Sequence, residues 1–203
     1  MSWADCFAQA PHKVTVDEIR AALAEHRAAV ETAESEADDR SEEPVSEPPE
    51  SSPTRIVADA DVLAADCCLE GHSRQALDLF RQHSWTTLVA SDRLLDDAAA
   101  VIETVADESL AADWREQIEG WREPVDQPAG DHPALASAYR GGAMHLLSFD
   151  DQLTASGTGA TLNNRFPVSI RQPDAFVLLF DPESLYKLQH ADEYSGPDRN
   201  PRA

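Results

Sequence analysis

Residues 55–63 read Arg-Ile-Val-Ala-Asp-Ala-Asp-Val-Leu. Ile56–Ala58 is a short apolar run of β type, and it ends in two acids, Asp59 and Asp61. A helix-compatible segment, Val62–Leu69, follows at once. Open α/β sheets hold their ligands outside the carboxyl ends of the strands. The stretch therefore predicts a strand that delivers carboxylates to such an edge.

Downstream the same alternation recurs. Trp85–Ala90 (WTTLVA) has the β-branched richness of a second strand. Ser91 is placed to cap a helix carrying Leu94, Leu95, Ala98, Val101 and Ile102, with Asp96 and Asp97 in its first turns. A further helix is expected over 107–121, before Pro124 and Pro128. Asp131 or His132 opens the next helix, with Pro133 in its first turn. That helix ends at Gly141-Gly142. Met144–Phe149 is then a strand that delivers Asp150 and Asp151, with Ser148 just before them. Val168–Ile170 reads as a last short strand, and 173–188 as one or two helical turns. Strands alternating with helices imply a parallel sheet with right-handed crossovers.

Upstream, Thr15 and Glu18 make a capping-box pattern ahead of Ile19, Leu23 and Val30, so a helix is expected from about residue 16 to 34. Residues 35–53 are rich in acids, Ser and Pro and have little to bury, which predicts a disordered linker. The expected organisation is an N-terminal helical extension (1–34), the acidic linker (35–53), one domain (54–188) and a flexible polar tail (189–203).

Charge is the strongest compositional signal. The 203 residues hold 38 Asp and Glu against 16 Lys and Arg, a formal net charge of −22. Only two of the cations are lysines, Lys13 and Lys187. Such an excess self-repels in dilute buffer, but at about 1 M salt the Debye length falls to ~3 Å and the repulsion is screened. The composition therefore suits a halophilic, salt-rich cytoplasm. It does not exclude a nucleic-acid substrate, because phosphate electrostatics are weak for any protein in such salt. No apolar run reaches the ~18 residues of a membrane span, and a signal-like start is lacking, so a cytoplasmic protein is expected. The three cysteines, Cys6, Cys67 and Cys68, form no Cys-x-x-Cys pair, and Cys67 and Cys68 read as small core residues.

The acids at the strand ends carry the chemistry. Several carboxylates converging on one sheet edge repel unless a cation neutralises them. Oxygen donors without His or Cys suit Mg²⁺ or Mn²⁺. Three pieces of sequence, IVADADVL (56–63), SDRLLDDAAAVI (91–102) and DHPALASAYRGGAMHLLSFDDQL (131–153), resemble in this order the PIN-domain nucleases. The resemblance implies a PIN-like three-layer α/β/α domain with a central parallel sheet. It implies metal-dependent ribonuclease activity, with Asp59, Asp97, Asp131 and Asp150 as catalytic acids and metal ligands for Mg²⁺ or Mn²⁺. Asp61, Asp96, Asp151, His132, Ser91 and Ser148 are secondary candidates. RNA is the implied substrate, and a homodimer and a cognate antitoxin are open as partners. There are two departures from the family pattern. Asp97 stands where the family usually has glutamate, and His132 competes with Asp131 for the position at the helix head.

Two other readings compete. One is a PIN-like binding or regulatory module with degraded catalysis, motivated by His132 and the acidic surface. The other is a haloacid dehalogenase-like phosphatase using Asp59-x-Asp61 as nucleophile and acid/base. The second lacks the lysine that such chemistry ordinarily uses, since none lies between Lys13 and Lys187.

Overall fold

The computed structural model describes residues 1–11, 13–36, 47–155 and 166–203. Among them are five strands: β1 (Ser52–Ala58), β2 (Thr87–Ala90), β3 (Arg122–Pro124), β4 (Ala143–Leu147) and β5 (Ser169–Arg171). The described helices are α1 (Trp3–Ala8), α2 (Val16–Glu36), α3 (Ala60–Cys68), α4 (His72–Arg81), α5 (Asp92–Val105), α6 (Glu108–Glu119), α7 (Pro133–Arg140), α8 (Asp151–Thr154), α9 (Pro173–Leu179) and α10 (Pro182–Gln189). The strands form one sheet in the order β3-β2-β1-β4-β5, and every pairing is parallel. A wholly parallel sheet buries both faces under crossover helices, which is consistent with an α/β/α layering. Among the described residues no helix is long and apolar enough to cross a membrane.

The chain runs outward from β1 to β2 and β3, then returns to the other side for β4 and β5. The order therefore switches between β1 and β4, and a crevice opens there at the carboxyl edge. Register fixes what lines it. Val57 pairs with Leu146 and Ala58 with Leu147, and the Asp59 N–H still donates to the Leu147 carbonyl at 2.8 Å. Asp59 thus leaves the sheet level with Ser148.

The core is apolar and continuous, from Ile56, Val57 and Leu63 through Leu88, Leu94 and Ile102 to Trp114 and Phe176. Cys67 and Cys68 are buried in it as free thiols. The N-terminal segment, expected as a separate extension, contributes Trp3, Cys6, Ile19 and Leu23 to the same core. Its α1 is held by stacking: Arg81 lies over Trp3 at 4.2 Å and Arg74 over Phe7 at 3.7 Å. Arg81 also pairs with the fully buried Asp66. The Ala4 N–H donates to the carbonyl of Arg202, so one free amide at the head of α1 is satisfied by the C-terminal end.

That end is tied down along its length, although its composition predicts a loose tail. Tyr194 Oη lies 2.7 Å from His83 Nε2, the Ser84 N–H donates to Asp198 at 2.7 Å, and Arg202 pairs with Asp78 at 2.6 Å. The sequence reading also misses β3, whose three residues are half-exposed or exposed and show no apolar alternation. Strand β1 begins at Ser52, inside the stretch expected to be linker. The centre of that linker, 37–46, and all of residues 156–165, whose 157–165 portion reads as a loop from sequence, lie outside the described residues. The Gly141-Gly142 turn holds to its predicted place. Gly142 has φ +61°, and a Cβ on Gly141 would collide with Val89.

His145 of β4 is a sensitive point of this core. Burial, helped by the nearby Arg171, lowers its pKa from 6.5 to about 4, against the opposing hydrogen bond to the Pro53 backbone. It packs edge-on against Phe176 at 5.5 Å. In the unfolded chain it binds a proton near 6.5, and in the folded chain only near 4. Stability is therefore lost as pH falls through that window and is unaffected above it. Urea unfolding of His145→Gln is expected to show a flatter pH dependence than the wild type between about 6.5 and 4. Parallel curves across that range would contradict a desolvated, neutral His145.

Candidate functional site at the carboxyl edge

Asp59 follows β1 and caps α3, its Oδ1 accepting from the Ala60 N–H at 2.8 Å. An acid at this position is stabilised by the helix end whatever else it does. Its other oxygen, Oδ2, accepts from the Ser148 hydroxyl at 3.0 Å. The Ser148 hydroxyl in turn accepts from the Asp150 N–H at 3.0 Å, so the ends of β1 and β4 are locked together by one side chain. Asp97 approaches from α5. Both Asp59 and Asp97 have fully buried side chains.

Two buried carboxylates facing one crevice need a cation, and the fold supplies one from an unexpected place. Arg27 of α2 donates from Nη2 to Asp59 Oδ1 and from Nε to Asp97 Oδ2, each at 2.8 Å. A planar guanidinium satisfies two separate carboxylates in this way while carrying a single charge. The Arg27 side chain is 20% exposed. Its own burial opposes the charge, but the Asp59 and Asp97 contacts outweigh this and raise its pKa above the ordinary arginine value. Asp97 Oδ1 makes no hydrogen bond, though Arg93 Nε approaches it at 3.2 Å and His26 Nε2 at 3.4 Å.

His132 completes the centre. Its Nε2 lies 3.2 Å from Arg27 Nη1. Arginine only donates, so the imidazole accepts through Nε2 and carries its proton on Nδ1. This matches the lowered pKa of His132, caused first by burial and opposed by the charges of Asp59, Asp150 and Asp97. Asp61 is buried beside them. Its Oδ2 accepts from the Phe149 N–H at 3.1 Å and its Oδ1 has no partner. Burial, then the neighbouring Asp59 charge, raises its pKa well above the carboxylate range.

The other predicted residues fall elsewhere. Asp131 is exposed, and the N-cap of α7 is His132, which turns the histidine rather than the acid inward. Asp150 is half-buried at the same edge but caps α8, accepting from the Gln152 N–H at 2.7 Å. Asp96 is exposed and pairs with Arg115 at 3.6 Å. Asp151 is exposed and pairs with Arg20 of α2 at 2.9 Å. Ser91 caps α5 and lies 3.2 Å from the Ser137 hydroxyl, so it supports the fold beside the centre. Sequence reasoning missed Arg27 and His26. A usable signal was present, because Ile19, Leu23 and Arg27 recur at i, i+4 and i+8 on one helical face.

Among the described residues no three His, Cys, Asp or Glu side chains gather closely enough to hold a metal ion as they stand. The donor chemistry nonetheless suits a hard cation. Asp59 and Asp97 converge on one positive centre, and Asp97 keeps a buried oxygen without a hydrogen bond. Carboxylate oxygens are the donors that Mg²⁺ and Mn²⁺ take.

A family model, DUF7384, described as a family of unknown function, matches residues 50–202. The matched stretch includes the centre's acids and His132, and α2 lies outside it. No curated protein and no solved structure matches the chain.

The Arg27–Asp97 contact should be strongly coupled. In a double-mutant cycle followed by urea unfolding, Arg27→Met and Asp97→Asn are expected to be non-additive by about 1–3 kcal/mol. The single arginine change leaves a buried charge that the second change removes. Effects that add to within about 0.5 kcal/mol would contradict the geometry described.

Proposed function

The chain belongs to DUF7384, a family of unknown function, and we propose that its carboxyl-edge centre is that of a PIN-like, metal-dependent ribonuclease. The observation that carries this reading is the convergence of Asp59 and Asp97, both fully buried, on a single cation position at the switch point of the sheet. The order of motifs around Asp59, Asp97 and Asp150, which resembles the PIN-domain nucleases, supports it further.

Asp59 and Asp97 would hold the ion, with Asp150 at the same edge. The chemistry that Mg²⁺ or Mn²⁺ would supply if held there is activation of a water and neutralisation of the departing oxygen of an RNA phosphodiester. The remaining residues act by position. Ser148 fixes the orientation of Asp59 and ties it to the end of β4. Asp61, whose Oδ2 accepts from the Phe149 N–H at 3.1 Å, helps join the end of β1 to the end of β4. His132, favoured in its neutral form, offers a hydrogen-bond acceptor at Nε2 to a donor group in the crevice.

A second reading, a PIN-like binding or regulatory module without catalysis, is favoured by one observation. His132 rather than Asp131 faces the acids, so the centre has one carboxylate fewer than the family pattern implies. RNA cleavage with Mn²⁺ in concentrated salt separates the two. Full-length protein carrying Arg27→Met is expected to cleave RNA, and adding Asp59→Asn and Asp150→Asn is expected to reduce cleavage by at least about a hundredfold. Cleavage that survives both aspartate changes would overturn the nuclease reading. No cleavage by wild type or by Arg27→Met would support the binding module.

A further inference from the structure

We infer that the seat between Asp59 and Asp97 exchanges two cations, the Arg27 guanidinium of α2 and a free divalent ion, and that docked α2 closes the centre by supplying the first. This rests on the metal-dependent reading of the same acids.

The geometry makes the two occupants exclusive. Arg27 engages the inward oxygens of both carboxylates at 2.8 Å. A cation neutralising both acids would compete with the guanidinium for the same two charges. A guanidinium neutralises the pair, but it has only N–H donors and no coordination position for water. A centre holding Arg27 is therefore stable and chemically silent.

Helix α2 packs on α5 and α3, but its apolar footing is narrow. Of its described side chains only Ile19 and Leu23 are buried, and most of the others are exposed. Besides Arg27, α2 is tied by His26, 3.4 Å from Asp97, and by Arg20 to Asp151, whose side chains are 39% and 73% exposed, a kind of pair that adds little. Elements with few buried apolar contacts open locally without global unfolding. The body does not depend on α2 for its sheet, since all five strands lie at Ser52 or beyond.

The centre that α2 would leave behind is electrostatically incomplete. Asp59 and Asp97 would face each other without Arg27, and Asp97 Oδ1 is already buried without a hydrogen bond. Arg93, on α5 itself, stays beside Asp97 at 3.2 Å, so the carboxylate that loses most when Arg27 leaves is Asp59. Two such carboxylates either take up protons or recruit a cation. All-oxygen donors favour a hard divalent ion for that role. Helix and ion thus compete for one position, and binding of either weakens the other by the same factor.

Mn²⁺ binding to the full chain, measured by calorimetric titration and by the Mn²⁺ paramagnetic resonance signal, tests the exchange without relying on activity. Wild type is expected to bind weakly. Arg27→Met is expected to bind about a hundredfold more tightly or better, because its acids have lost the guanidinium they share. Leu23→Ala leaves every charge in place and only loosens α2, so it keeps the test informative if Arg27→Met folds poorly. It too is expected to bind Mn²⁺ more tightly than wild type, and Asp59→Asn added to either variant is expected to abolish the gain. Equal affinity in wild type and Leu23→Ala, or no uptake by any of these proteins, would overturn the exchange. Tight, Asp59-dependent uptake by Arg27→Met without RNA cleavage would uphold the exchange and overturn the ribonuclease reading alone.

Discussion

The Arg27 guanidinium between Asp59 and Asp97 is the contact on which the carboxyl edge depends. A parallel sheet ordered β3-β2-β1-β4-β5 brings the ends of β1 and β4 together with the first turns of α5. The sequence places an aspartate at each of these points. Without Arg27, Asp97 would keep Arg93 beside it, but Asp59 would be a buried carboxylate that has lost its ion-pair partner, a costly state. One arginine from a helix far upstream in sequence removes that cost. The same contact explains why α2 lies where it does and why His132 accepts through Nε2.

This arrangement also fits the composition. In concentrated salt the exposed charges of so acidic a surface are screened. Buried pairs are screened much less. Arg27 with its two acids, and Arg81 with Asp66, therefore keep their strength where surface pairs such as Arg20–Asp151 lose theirs. The few cations of the chain are used at points that matter: Arg81 stacks on Trp3 and neutralises Asp66, and Arg27 neutralises the centre.

Much of the fold is legible from pattern. The apolar run before Asp59, the Ser91 cap, the Pro133 helix start and the Gly141-Gly142 turn each have a local physical cause, and each is where the sequence puts it. What is not legible depends on distant partners. Strand β3 is an edge strand with exposed side chains, so it lacks the alternation that marks a half-buried strand. The C-terminal residues are polar, and only long-range contacts to His83, Ser84 and Asp78 hold them. In the centre, Asp59 and Asp97 follow from strand ends and helix starts, but the choice between Asp131 and His132 turns on a single residue of helix phase. Pro133 permits either as the cap, and the structure selects the histidine. Capping and apolar spacing place α2 over nearly the right residues. They say nothing of what its face meets, which is why Arg27 stayed hidden.

The central claim is that Arg27 and a divalent ion contend for one seat. The most direct measurement is an anomalous-difference map, collected at the manganese edge, from crystals of full-length Arg27→Met grown in concentrated salt with Mn²⁺. The account predicts a peak between the Asp59 and Asp97 carboxylates, at the place Arg27 holds in the wild type. A map with no peak there, or with manganese bound only elsewhere on the acidic surface, would contradict it.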